Sequence, residues 1–363
     1  MKLRWKECRY LKGEKEVEGR FHNNGKKLFI MGEGFDPRML VGVKAILKAD
    51  EAANILLICY AEKQFAKNPV NMDAKDKNMR LLQELTPKYL KKQQISIWKS
   101  QLGETVVCES VRKAITKETV HGYDEIIVDL SAMPRAISFN IIKRLIDINK
   151  QLGQAKKINI VYCENSALDD DIKSIIATDT AEYLQGFGAF SAGMEATSDN
   201  IKVWFPVLGL NEDKALSIID KFLAPDEICP ILPFPAADIR REENIIRVYG
   251  AELFRKYGIE KRNIIYVPEN QPLLMYQKLC HTVEFYERAL NQGGKDGINY
   301  VFSSQGSKAM DAGVLLTLME LSKDYTVAMA IVENEGYNKE STVYSEANNE
   351  LCCICLNDNE FEW

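Results

Sequence analysis

Apolar residues in this chain gather in short continuous runs, and the stretches between them carry helical spacing. The runs 27–31, 55–60, 125–129 and 158–163 are rich in Ile, Val and Leu and barely alternate, as expected of strands buried on both faces of a parallel sheet. Helix-period segments at 39–48, 79–82, 106–115 and 137–148 separate them, with a further short strand read at 95–98. The same order then repeats. Strands are read at 201–207, 227–232, 263–267, 298–302 and 326–332, and helices at 215–223, 240–254, 276–290 and 310–321. Strands alternating with helices of about 10 to 15 residues define βαβ units, which close right-handed into parallel sheets. The fold class predicted is therefore α/β, with two tandem Rossmann-like parallel-sheet units and a C-terminal strand extension.

The repeat is also local. Asp129-Leu130-Ser131-Ala132-Met133-Pro134-Arg135 and Phe302-Ser303-Ser304-Gln305-Gly306-Ser307-Lys308 share one offset, and each ends in a cation at a helix start. Both closing strands run into Glu-Asn, at Glu164-Asn165 and Glu333-Asn334. An offset of about 170 to 175 residues is too long for a solenoid and suits a duplicated domain. The boundaries expected are an extension over 1–26, a first unit over 27–168, a linker over 169–199, a second unit over 200–340 and a strand extension over 341–363. The linker contains Gly186-Phe187-Gly188-Ala189-Phe190-Ser191-Ala192-Gly193, small-residue-rich and read as a flexible crossover.

Composition narrows the function. The 363 residues carry a formal net charge of -5, so no broad cationic surface for duplex nucleic acid is expected. No apolar run reaches the ~18 to 20 residues of a membrane span. The opening Met1-Lys2-Leu3-Arg4-Trp5-Lys6 does not read as a signal peptide. Nine cysteines lie mostly in apolar runs, as reduced thiols of a cytoplasmic protein would. Cys352, Cys353 and Cys355 lack C-x-x-C spacing and only three His exist, so no metal site and no cofactor are expected.

In open α/β sheets, ligands sit beyond the carboxyl ends of the strands, where helix N-termini also point. Three loops there carry candidate ligand groups. Ser303-Ser304-Gln305-Gly306-Ser307-Lys308 offers hydroxyls, a glycine for close backbone approach and a cation. A Ser/Gly helix cap with a solvated lysine would use the same residues. Asp129, Ser131 and Arg135 form the counterpart, with Arg135 suited to bidentate phosphate contact; an Asp cap followed by Pro explains them without a ligand. Gly32-Glu33-Gly34-Phe35-Asp36-Pro37-Arg38 is glycine-rich but spells neither G-x-G-x-x-G nor a Walker motif. Its candidates are Gly34, Asp36 and Arg38. Glu62, Glu164 and Glu333 end strands and could serve as bases or ribose acceptors, or only as solvated strand ends. Tyr60, Phe187 and Phe234 are candidate stacking aromatics. His121 and His281 fall in helical positions, no Ser-His-Asp or Cys-His order is visible, and no catalytic residue is assigned.

The strand–Ser303-Ser304-Gln305-Gly306-Ser307-Lys308-Ala309-Met310–helix segment resembles the ligand loop of CRISPR-associated Rossmann-fold (CARF) sensor domains, where a late strand enters a Gly-Gly-Thr-Lys-like loop. Asp129 to Arg135 is similar in place, but it lacks the glycines and has Arg for Lys. That resemblance implies a nucleotide-binding sensor of an antiphage or CRISPR-linked defence system. It would bind a cyclic oligoadenylate between two units, as the related SAVED sensors do, and signal to a partner effector protein. If the ligand were cleaved there, the chain would be a ring nuclease. Gly32 to Arg38 also resembles the G-x-G-x-D-x-R segment of S-adenosylmethionine-dependent carboxyl methyltransferases, with Glu62 as ribose acceptor; the duplication and Gly209-Leu210-Asn211-Glu212 depart from that pattern. A third possibility is a scaffold that has lost its site.

Overall fold

The computed structural model describes residues 3–60, 69–86, 90–97, 106–152, 155–175, 180–188, 200–210, 213–290, 297–332, 336–339 and 345–357. The chain divides into two compact units, one of Glu7–Asn165 with Val343–Trp363 and one of Met1–Lys6 with Ser166–Thr342.

The first unit runs β1 (Arg9–Lys12), α1 (Glu14–Phe21), β2 (Lys27–Gly32), α2 (Met39–Ala49), β3 (Asn54–Tyr60), α3 (Pro69–Leu85), β4 (Leu90–Ile95), α4 (Val107–Ala114), α5 (Lys117–His121), β5 (Glu125–Asp129), α6 (Arg135–Asn149) and β6 (Lys157–Glu164). Its last strand, β16 (Glu350–Cys355), comes from the far end of the chain. The sheet order is β1-β16-β6-β5-β2-β3-β4. Strands β2 to β6 are parallel. β16 lies antiparallel on β6, and β1 antiparallel on β16. Every residue of β2 and β5 is buried, which is why the central strands read as unbroken apolar runs.

The second unit runs α7 (Ser166–Asp171), β7 (Ile172–Ile175), β8 (Glu182–Gly188), β9 (Ile201–Val207), α8 (Asp213–Leu223), β10 (Glu227–Ile228), β11 (Ile231–Pro233), α9 (Arg241–Gly250), β12 (Ile265–Val267), α10 (Pro272–Leu290), β13 (Ile298–Ser304), α11 (Lys308–Leu321), β14 (Thr326–Ile331) and β15 (Gly336–Lys339). Its main sheet is ordered β12-β11-β9-β13-β14-β8, with β10 also paired to β9. All these strands are parallel except β8, which is antiparallel to β14. β7 and β15 pair separately.

Numbered along each unit, with β10 and β11 counted as one interrupted strand, the five parallel strands of both sheets follow the order 3-2-1-4-5, and an antiparallel strand flanks the fifth. The two units are thus the tandem Rossmann-like folds the repeat predicts. The flanking strand has different origins, β16 in the first unit and β8 in the second. Glu182–Gly188 is therefore a sheet strand and not a crossover; residues 189–199 lie outside the described residues. Likewise 7–26 is no loose extension, since β1 joins the sheet and α1 buries Val17 and Phe21.

Three of the departures from the sequence expectation have a local reason or form. β4 occupies Leu90–Ile95, ahead of the apolar 95–98, because it is a polar edge strand with Lys91, Lys92 and Gln94 exposed. The run 227–232 splits into β10 and β11 around Pro230, which has no N–H for a ladder. The helix expected over 240–254 continues from α9 as a π-helical stretch, Ala251–Lys256. Among the described residues no helix is long and apolar enough to cross a membrane.

Candidate functional site

In both sheets the chain order reverses beside the first strand, between β2 and β5 and between β9 and β13. That switch point is where loops diverge and leave a crevice beyond the strand ends. The loops that sequence analysis singled out are the ones that leave these strands.

In the first unit, Asp129 ends β5 with its side chain buried. Ser131 N donates to Asp129 Oδ1 at 2.7 Å, and the Ser131 hydroxyl accepts from Cys163 N at 2.9 Å. α2 passes so close that a Cβ on Gly42 would lie 2.6 Å from Asp129 Oδ2, the helix-to-strand approach for which Rossmann folds use glycine. Asp36 and Arg38 are buried together. Arg38 Nε and Nη2 donate to the Asp36 carboxylate at 3.0 and 2.8 Å, and Arg38 N donates to Asp36 Oδ1 at 2.9 Å. The pair is a bidentate fork, with the guanidinium held against its own carboxylate. Arg135, half-buried, is the first residue of α6, whose N-cap is Pro134 and has no side-chain cap.

Two residues of α3 complete this region, and the sequence did not single them out. Lys75 Nζ donates to Glu33 Oε1 at 2.9 Å, and Asn78 Nδ2 donates to the carbonyls of Gly34 and Asp36 at 3.1 and 3.2 Å. The available signal was their i, i+3 spacing on one helical face. The Tyr60 hydroxyl donates to Ala132 O at 3.1 Å, tying the β3 end to the β5 loop. Burial, followed by the Glu33 carboxylate, pushes the Cys59 thiol up to about 11.

In the second unit the hydroxyls are engaged within the fold. Trp204 Nε1 donates to Ser303 Oγ at 3.0 Å, and Ser304 Oγ donates to Asp311 Oδ1 at 2.6 Å. Ser307 is the N-cap of α11 and accepts from Met310 N at 3.4 Å. Gly306 is packed so that a Cβ would lie 2.9 Å from Val207 Cγ1 and 3.0 Å from Met310 Sδ. Gly209 faces the Gln305 carbonyl, which would be 1.8 Å from an added Cβ. Tyr249 OH bridges the two loops, to Gly209 O at 3.0 Å and Gln305 Oε1 at 3.3 Å. Lys308, half-buried, is the first residue of α11, the position Arg135 holds in α6. The sequence did not single out Asp311 either; the signal was an acid in the first turn of a helix buried from Ala309 to Leu321.

The remaining candidates separate. Glu164 ends β6 opposite Glu350; Glu62 and Glu333 lie outside the described residues. Phe187 is buried and Phe234 exposed. His121 and His281 are exposed, the latter 3.3 Å from Glu284. Among the described residues, no group of three or more His, Cys, Asp or Glu is placed to hold a metal ion.

No protein-family model and no curated protein matches the sequence. Three similar solved structures have TM-scores between 0.21 and 0.23. A protein of Pseudomonas aeruginosa UCBPP-PA14 described as a universal stress protein has 11% identity and a TM-score of 0.22, over 87% of this chain and 95% of its own. A functionally unknown protein of Pseudomonas aeruginosa PAO1 gives 11% and 0.23 over the same shares. The UDP-GlcNAc 2-epimerase of Neisseria meningitidis gives 8% and 0.21, over 82% and 92%. The α/β architecture itself rests on the strand order and direction above.

Proposed function

We propose that this protein binds a small phosphate-bearing ligand of the cyclic oligonucleotide class at the carboxyl ends of its parallel sheets, and relays that occupancy to a partner protein as a sensor. The observation that carries this reading is the equivalence of Arg135 and Lys308. Each is the first residue of the helix leaving the switch-point strand, in a different unit, and each is only half-buried. A cation there adds to the N–H groups and partial positive charge of the helix end. Asp129, Ser131, Ser303, Ser304 and Ser307 then shape the loop backbone, since their bonds are internal. Gly306 allows that backbone to lie close. Asp36 and Arg38, paired and buried with Gly34 beside them, support the first loop from behind.

A scaffold that has given up its site is the second reading. The closed contact of Gly209 with Gln305 and the Tyr249 bridge favour it, because they fill the second unit's crevice.

A thermal-shift panel separates these. It would contain cyclic and linear oligoadenylates, cyclic dinucleotides, ATP, NAD and S-adenosylmethionine. A ligand at ~100 times its dissociation constant adds about 2.7 kcal/mol to stability, a clear shift. The sensor reading expects a response to cyclic oligonucleotides. A response to S-adenosylmethionine alone sinks it in favour of a methyltransferase, and silence throughout favours the scaffold.

A further inference from the structure

Away from the strand ends, α4 and α6 of the first unit pack side by side and leave a groove of about 410 Å³. Its walls carry Arg112 from α4, Lys143 and Arg144 from α6 and Lys150 at the C-cap of α6, against one acid among the described residues, Asp147. This concentration of positive charge stands on a chain whose net charge is -5. Two of the four cations are held in place: Arg144 Nε donates to the carbonyl of Ile115 at the end of α4 at 3.0 Å, and Lys143 lies 3.3 Å from Asp147. Arg112 and Lys150 are exposed, and among the described residues neither has an ion-pair partner.

We infer that this groove docks an acidic peptide segment of a partner protein. Lys143 on α6 and Lys150 at its C-cap are seven residues apart, and the cap keeps helical backbone angles, which places them ~10 Å apart along the helix axis. An extended peptide presents side chains on one face every ~6.7 Å, so two alternating Asp or Glu residues fit within the span of this row, and the flexible lysine stems take up the remaining difference. The alternative polyanion, single-stranded nucleic acid, is held by cations combined with aromatic stacking platforms, and among the described residues no lining side chain is aromatic. Charge complementarity of this kind governs encounter rate and salt dependence more than contact area does. The groove also carries a reporter, because the partly buried thiol of Cys108 lines it.

The test uses the full chain and fluorescein-labelled hexaglutamate, with labelled hexauridylate as the nucleic-acid comparison, read by anisotropy at low salt. Alkylation of Cys108 by N-ethylmaleimide is followed in parallel by peptide mass spectrometry. The expected result is hexaglutamate binding that weakens with salt, falls about tenfold or more in the double variant Arg112→Glu, Lys150→Glu, and slows Cys108 alkylation. Both substituted side chains are exposed, and an unchanged melting temperature would show that the variant is folded. Equal hexaglutamate binding by the variant, absence of binding, or unprotected Cys108 would overturn the inference. Tighter binding of hexauridylate with protection of Cys108 would overturn it in favour of a nucleic-acid groove.

Discussion

Gly42 sits in α2 where the Asp129 carboxylate leaves no room for a side chain, with Oδ2 2.6 Å from where a Cβ would stand. Asp129 cannot retreat easily, because its other oxygen accepts the Ser131 N–H at the start of the β5 loop. Gly42→Ala should therefore cost about 1–3 kcal/mol, as overpacking does, against the small gain alanine usually brings inside a helix. Urea unfolding measures it. Adding Asp129→Ala to the same chain should recover part of the loss, which a purely helical effect would not. Asp129 was visible in the sequence as a charged strand end. Its neighbour Gly42 was not, because helix-to-strand distance leaves no mark in a helical period. Trp204 and Tyr249 escaped for a similar reason: each meets its partner, Ser303 or Gly209, from a distant part of the chain.

At the scale of elements, what was legible was what is buried on both faces. β2, β5, β9 and β13 fill the middle of their sheets and were found as apolar runs. Edge strands obey other constraints. β4 is polar, and β8 contains two glycines, so neither carries the pattern of a core strand. β16 has an unusual position, since the last described strand of the chain is inserted between β6 and β1. It pairs along six positions of β6, from Glu350 opposite Glu164 to Cys355 opposite Asn159, and places Leu351, Cys353 and Cys355 in the core. A chain stopped at residue 342 should leave β6 exposed as an edge and strip β1 of its partner. Hydrogen exchange should then show β5 and β6 losing protection while β9 and β13 keep theirs. Retained protection across β6 would mean that the first unit folds without β16.

Across the described residues, buried phenols and thiols outnumber the acids whose ionisation shifts. Burial, chiefly, raises Tyr10, Tyr162, Tyr276, Tyr286 and Tyr300 above the ordinary 10.0. It also pushes the thiols of Cys229 and Cys352 up to about 12, from an ordinary 9.0. These groups hold their protons longer in the folded state than in the unfolded one. Their contribution to stability is complete below the unfolded values near 9 and 10 and is lost as pH rises towards the folded values. The urea midpoint should thus fall between about pH 8 and pH 10.5, and a flat profile there would mean that these groups titrate as they do in an unfolded chain.

The duplication is the property that most shapes the functional reading, because it puts Arg135 and Lys308 at matching positions of two sheets with the same 3-2-1-4-5 order. The most direct measurement is the affinity of the double variant Arg135→Ala, Lys308→Ala for the cyclic oligonucleotide that gives the largest thermal shift, beside the unaltered chain, by isothermal titration. Loss of phosphate contacts at both positions should weaken binding by about a hundredfold or more, near 2.8 kcal/mol, with the unfolding midpoint unchanged. Affinity equal to that of the unaltered chain would contradict a phosphate site at these two helix starts.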